Sequence, residues 1–328
     1  MSAGASGTLA DAAMAALDRG DPIRGHLLAR RAVAAAQDSD STADDDPAGQ
    51  VARVAAWRAL GTAQRMLGRF SDAQRSFRLA LELLVALSTG ASLEIASLHN
   101  DIGMTCKLRG RFADAAEAYA AAGAILCDIP DADPEDIASL WHNLGGLAHA
   151  RGDYQAAEPL ARRGIEVRTA ALGPDHVATL LDRSAYAAIL DGLGRSDEAA
   201  EEIRHVLRGL VSALGDDHPE VSVARNNLAA ILQQQGDLAE AERLYREVIA
   251  AREARLGSGS PALASALSNL GTVLRARGLP DDARAMYERA LRTLDGAVDD
   301  NHPSVIAIRR NLARVMPRSP GLKSGRPR

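Results

Sequence analysis

Histidines and cysteines are the residues of this chain best suited to chemistry, and their spacing argues against catalysis. His142 and His149 lie seven residues apart on one helical face. A rise of ~1.5 Å per residue separates them by ~10 Å, too far to share one metal. His176, His218 and His302 recur in DH or HP segments, a placement at helix entries that fits capping or packing better than three active sites. Cys106 falls inside a helical stretch at a packing position and reads as a buried, inert thiol, whereas Cys127 lies near a helix end and is more exposed. Two cysteines make neither a disulfide framework nor a zinc site. The acidic stretches 38–46 and 131–136 lack the glycine and distal Glu of a calcium loop. The chain contains no GxxxxGK[ST], HExxH, GxSxG or CxxC. The expectation is therefore no catalytic residue, no metal and no cofactor.

The elements that carry these residues repeat. Gly68, Gly110, Gly152, Gly194, Gly236 and Gly278 are spaced by 42 residues, and Gly20 begins the series 48 residues before Gly68. The extra residues fall in a Ser/Asp-rich stretch that reads as a loop insertion over about 38–49. Around Gly236, Val221, Ala224, Leu228, Ile231 and Leu232 precede the glycine at helical spacing, and Leu238, Ala241, Leu244, Tyr245 and Val248 follow it in the same way. Asp237 stands where an N-cap is wanted. Each unit is therefore a helix hairpin, helix A before the glycine and helix B after it. Gly61, Gly103, Gly145, Ala187, Ala229 and Gly271 lie seven before the anchors, and Phe77, Tyr119, Ile203, Tyr245 and Tyr287 lie nine after. A small residue facing a bulky one lets two helices cross closely.

Composition agrees with such an array. The chain has 328 residues, 47% hydrophobic and only 3% aromatic, so small and aliphatic side chains must fill the core. A net charge of -5 argues against a nucleic-acid or anionic-membrane partner. No apolar run approaches the ~18 residues of a membrane span. The N-terminal stretch lacks a basic region and carries Asp11 and Asp18, so a secretory signal is not expected and a cytoplasmic location is.

Two polar columns run along helix A, ten and three residues before each anchor. The first is Arg58, Asn100, His142, Ser184, Asn226, Ser268 and Arg310; the second is Arg65, Lys107, His149, Asp191, Gln233 and Arg275. Seven residues are close to two turns, so both columns share one face. Asn and Gln can pair with both backbone groups of an extended peptide. Arg58, Arg65 and Lys107 favour an acidic or carboxylate-bearing ligand.

Trp57-Arg58-Ala59-Leu60-Gly61, Trp141-His142-Asn143-Leu144-Gly145 and Ala73-Gln74-Arg75-Ser76-Phe77-Arg78-Leu79-Ala80 resemble the W-x2-L-G and A-x3-F-x2-A signatures of the tetratricopeptide repeat (TPR). The 42-residue period, with LGPDH (172–176), LGDDHP (214–219) and DDNHP (299–303), resembles the kinesin-light-chain type of that repeat. The resemblance implies an all-α fold, a right-handed superhelical solenoid of about seven TPR hairpins. Residues 8–316 form it, with a lone final helix from 303 to 316 capping the last core face. Ala12-Ala13 replaces Leu-Gly in the first unit and Gly25 stands where the helix B alanine belongs. Residues 1–7 and the basic tail 317–328 are expected to be disordered. In this family, helix A asparagines contact cargo backbones, which points to Asn143, Asn227 and Asn269 beside the columns and Asn100 and Asn226 within them. Ala59, Asp101 and Ala185 depart from that pattern. The function implied is a non-enzymatic scaffold that binds a peptide or protein segment in the groove lined by helix A. The alternative is a sensor that binds a signalling peptide and controls a separate effector. Exposed repeat ends leave self-association open.

Overall fold

The computed structural model describes residues 2–37, 47–87, 92–296, 299 and 302–316. Every regular element among them is helical. Two compact units divide the chain, Met1–Gly173 and Pro174–Arg328.

The first unit holds four hairpins. They are α1 (Ser2–Asp18) with α2 (Pro22–Gln37), α3 (Pro47–Met66) with α4 (Phe70–Leu87), α5 (Leu93–Leu108) with α6 (Phe112–Asp128), and α7 (Pro134–Ala150) with α8 (Tyr154–Leu172). The second holds three more: α9 (Val177–Gly192) with α10 (Ser196–Leu214), α11 (Pro219–Gln235) with α12 (Leu238–Leu256), and α13 (Ala264–Ala276) with α14 (Pro280–Leu294). A 3-10 turn (Pro261–Leu263) enters α13, and α15 (Pro303–Ala313) closes the set. Seven hairpins and a final helix match the expected architecture. Within each unit, a helix contacts only its neighbours one or two places along the chain, the quasi-one-dimensional packing of a repeat array.

Some boundaries differ from the sequence reading. α1 begins at Ser2, inside the stretch 1–7 expected to lack structure. Its run of Ala, Ser and Gly carries no proline, and the apolar pattern offered no signal to extend the helix through Gly4 and Gly7. α3 begins at Pro47, so helix takes the last residues of the expected insertion over 38–49; proline suits a first helical turn. Residues 38–46 and the tail 317–328 lie outside the described residues.

The anchor glycines end the A helices. Gly110 has φ +72, a left-handed conformation that costs a side-chain-bearing residue ~1 kcal/mol or more. The Arg111 amide then bonds back to the Cys106 carbonyl at 2.9 Å, closing the helix end. The recurring histidines open later helices. Nδ1 of His176, His218 and His302 accepts from the amides of Ala178 (3.3 Å), Glu220 (3.2 Å) and Ser304 (3.2 Å). They are N-caps, as their position suggested.

The small-against-bulky pairing holds across the hairpins. A Cβ placed on Gly61 would meet the Phe77 ring at 2.8 Å, one on Gly103 the Tyr119 ring at 2.4 Å, and one on Gly271 the Tyr287 ring at 2.8 Å. The fourth hairpin has Ala161, and the first Ala29, where the other five carry the bulky residue. In the fourth the helices approach backbone to backbone: a Cβ on Gly145 would meet the Ala161 nitrogen at 3.2 Å, and one on Gly164 the His142 nitrogen at 3.2 Å. Gly25 is explained the same way, because Leu17 fills the space a Cβ would need, 2.4 Å away.

Candidate ligand-binding face

In the first unit, α3, α5 and α7 bring Arg58, Arg65, Asn100, Lys107, Asn143 and His149 together, with Asp101 among them. Arg58 Nε donates to Asp101 Oδ2 at 3.2 Å and its other end reaches the Ser97 hydroxyl. Arg65 lies 3.8 Å from the same carboxylate. The side-chain exposures are 37% for Arg58, 19% for Arg65 and 13% for Asp101. Burial pushes the Asp101 carboxyl up, and the two guanidiniums pull it back in part. The basic end foreseen for the groove therefore carries an internal counter-charge.

Asn143 is buried, and its Nδ2 donates to Asn100 Oδ1 at 2.9 Å, which braces neighbouring helices. Asn269 bonds the Tyr245 hydroxyl. Lys107 lies across α7, its Nζ 3.1 Å from where a Cβ on Gly146 would sit. Burial lowers the Lys107 pKa. His149 is lowered by burial and then by the Lys107 charge, and its ring stands edge-on to Tyr154 with centroids 5.4 Å apart. His142 is half-buried on α7.

Arg58 to Asp101, Asn100 to Asn143 and Asp191 to Gln234 are each 43 residues apart. The offset is the 42-residue period plus one. A column residue in one repeat thus bonds the residue beside the column in the next, forming polar rungs between helices A. In the sequence Asp101 stood only as a departure from the asparagine pattern, and its pairing with Arg58 and Arg65 was not foreseen. Its signal was present as an acid standing where other repeats carry Asn, one residue beyond the period from Arg58.

In the second unit, Asn226, Asn227 and Gln233 are half-buried on α11, and Arg275 is exposed on α13. Buried Oδ1 of Asn226 has no hydrogen-bond partner among the described residues, and the same is true of Nε of Arg65 in the first unit. Native proteins seldom leave buried polar atoms unpaired. These are two of eight such side-chain atoms among the described residues, which are spread over A and B helices of both units.

Among the described residues, no group of three or more His, Cys, Asp or Glu could hold a metal ion, and no helix is long and apolar enough to cross a membrane.

The tetratricopeptide repeat model matches residues 136–210, 193–254 and 262–317. A comparison with curated proteins finds no match. Among solved structures, the chain is similar to a tetratricopeptide repeat protein from Parabacteroides merdae, with 17% identity over 95% of this chain and 99% of that one and a TM-score of 0.58. It is also similar to a Rap protein complexed with competence and sporulation factor, with 13% identity over 94% and 85% and a TM-score of 0.66. A third is the set of nearly identical TPR-like repeats described as a kinesin light chain from Podosopora anserina, with 23% identity over 57% and 87% and a TM-score of 0.50. With hairpins, glycine turns and close helix crossings as described, and with the repeat model matching more than half of its length, the chain belongs to the tetratricopeptide repeat family, its repeats resembling the kinesin-light-chain type.

Proposed function

We propose that this protein is a non-enzymatic interaction scaffold that binds an extended peptide or protein segment along the polar face of its A helices. The observation that carries this reading is the set of polar side chains that α3, α5 and α7 bring to one face of the first unit, Arg58, Arg65, Asn100, Lys107 and His149 around Asp101. An extended backbone offers carbonyls to such donors and amide N–H groups to such acceptors. Lys107 and Arg275 add positive charge to the same faces, and Asp101 limits how strongly acidic the ligand needs to be. The polar rungs hold the wall in register, which reduces the ordering cost of binding.

The test is affinity capture from lysate with wild type, Arg58→Gln/Lys107→Met, Asn226→Ala and Arg163→Gln. Arg163 sits on α8 in an exposed pair with Glu166 and serves as the control. The expected result is a partner held by wild type and control and lost by the other two, with melting temperatures within a few degrees of one another. A partner held equally by wild type and all three variants would remove the A-helix face from the account.

The sensor reading is favoured by one comparison, the Rap protein solved with competence and sporulation factor. It shares the A-helix face and differs in the ligand, a short free peptide. Capture of a second protein that a short peptide releases would select it over the scaffold.

A further inference from the structure

One repeat of the first unit is hollow. Ten residues after the anchor glycine, the other repeats carry Arg30, Arg78, Arg162, Arg204, Arg246 and Glu288. Thirteen residues after it they carry Val33, Leu81, Ile165, Leu207, Ile249 and Leu291. Val33 and Ile249 are buried, and Leu81 packs against the core. The repeat anchored at Gly110 has Ala120 and Gly123 at these places and Ala116 four residues earlier. A long polar side chain and a large aliphatic one are thus both missing from the α6 surface that meets α7.

The space they leave is open. A cavity of about 480 Å³ lies between α6 and α7, lined by Ala116, Ala120 and Gly123 on one side and Leu140, Trp141 and Leu144 on the other. An apolar cavity of roughly 150 Å³ accepts benzene, and ligand sites run from about 300 to 1,000 Å³. Its ten lining residues are far fewer than the roughly 20–30 a protein partner needs on each side, so the dimensions suit a small molecule.

The connection that joins the two walls is acidic. Cys127 and Ile137 line the cavity at either end of the connection between α6 and α7. Between them lie Asp128, Asp131, Asp133, Glu135 and Asp136, with no Lys or Arg. All but Asp136 are exposed. Asp133 caps α7 through the Glu135 amide at 2.9 Å, Glu135 and Asp136 stand in the first turn of α7, Asp131 takes a left-handed turn at φ 58, and the Arg58 charge reaches Asp136. A carbon-lined cavity next to an acidic connection complements an apolar body with a cationic head.

We propose that the α6–α7 cavity is a binding site for a small cationic amphiphile, separate from the polar A-helix face. The probes are dodecyltrimethylammonium and dodecanoate, both below their micelle concentrations, with full-length Trp57→Phe protein so that Trp141 is the sole indole. The expected result is saturable binding of the cation, read by Trp141 fluorescence, at least about tenfold tighter than the anion. Shortening the tail by two methylenes should weaken it about tenfold. Alkylation of exposed Cys127 should slow in step with occupancy, while buried Cys106 serves as the internal reference.

Two variants test the location. Gly123→Leu and Ala120→Leu put back the volume that other repeats carry. The one close neighbour of a Cβ at 123 is the end of the Leu140 side chain at 3.2 Å, which can move. Both variants should melt at or above the parent temperature and lose binding by at least about tenfold. Absence of saturable binding by the cation, preference for the anion, or undiminished binding by both filled variants would overturn the proposal.

Discussion

Asp101 shows how one side chain sets the character of a surface. Arg58 and Arg65 both converge on it, so the face is less basic than its arginines suggest. Asp101→Asn should cost about 1–3 kcal/mol, the range for leaving buried charged hydrogen bonds unmet, measurable by urea denaturation. The same change frees two guanidiniums and should tighten binding of an acidic peptide. Unchanged stability together with unchanged affinity would show that the arginines do not depend on this carboxylate. The capping histidines make a second prediction. His218→Ala should cost about 1 kcal/mol and His218→Ser much less, since a hydroxyl can accept the same amide.

Protonation acts at this scale too. His26, His99 and His149 are all held below the ordinary value of 6.5, chiefly by burial. The folded state therefore binds fewer protons than the unfolded chain below that value, and stability falls as pH drops through it. Asp101 and Asp136 are raised by burial and act in the opposite sense at lower pH. The clean readout is a difference: between about pH 7.5 and 5.5, melting temperature should fall less in His149→Gln than in wild type. An identical fall in both would contradict the burial of His149 as a cause.

At the scale of elements, the hairpins were legible because the period, the terminating glycine and the small-to-bulky pairing all repeat in register. Gly103 with Tyr119 and Gly271 with Tyr287 are contacts that spacing alone foretold. The fourth hairpin was less legible. Ala161 breaks the bulky column, and only the coordinates show that the helices close until Gly145 reaches the Ala161 backbone. Backbone cannot yield as a ring can, so Gly145→Leu should abolish cooperative folding of the first unit by thermal circular dichroism, whereas Gly145→Ala should cost about 1–3 kcal/mol. A native-like melt for Gly145→Leu would refute that crossing. The rungs were hidden for a geometric reason. Residues 42 apart look equivalent in sequence, yet Arg58 and Asn100 bond partners one residue further on, so a reading by columns does not show which side chains bond each other.

For the whole molecule, stability is a sum of local hairpins and nearest-neighbour contacts. The proposed function depends on one face remaining continuous within each unit, and the polar rungs tie that face together. The central claim is that a partner lies along the A helices. The most direct measurement is site-specific photocrosslinking of the captured partner, with a benzophenone side chain at His142 on α7 or at Arg163 on α8. The account predicts a covalent adduct from position 142 and none from 163. An adduct from 163 alone would contradict it and place the partner on the helix B surface.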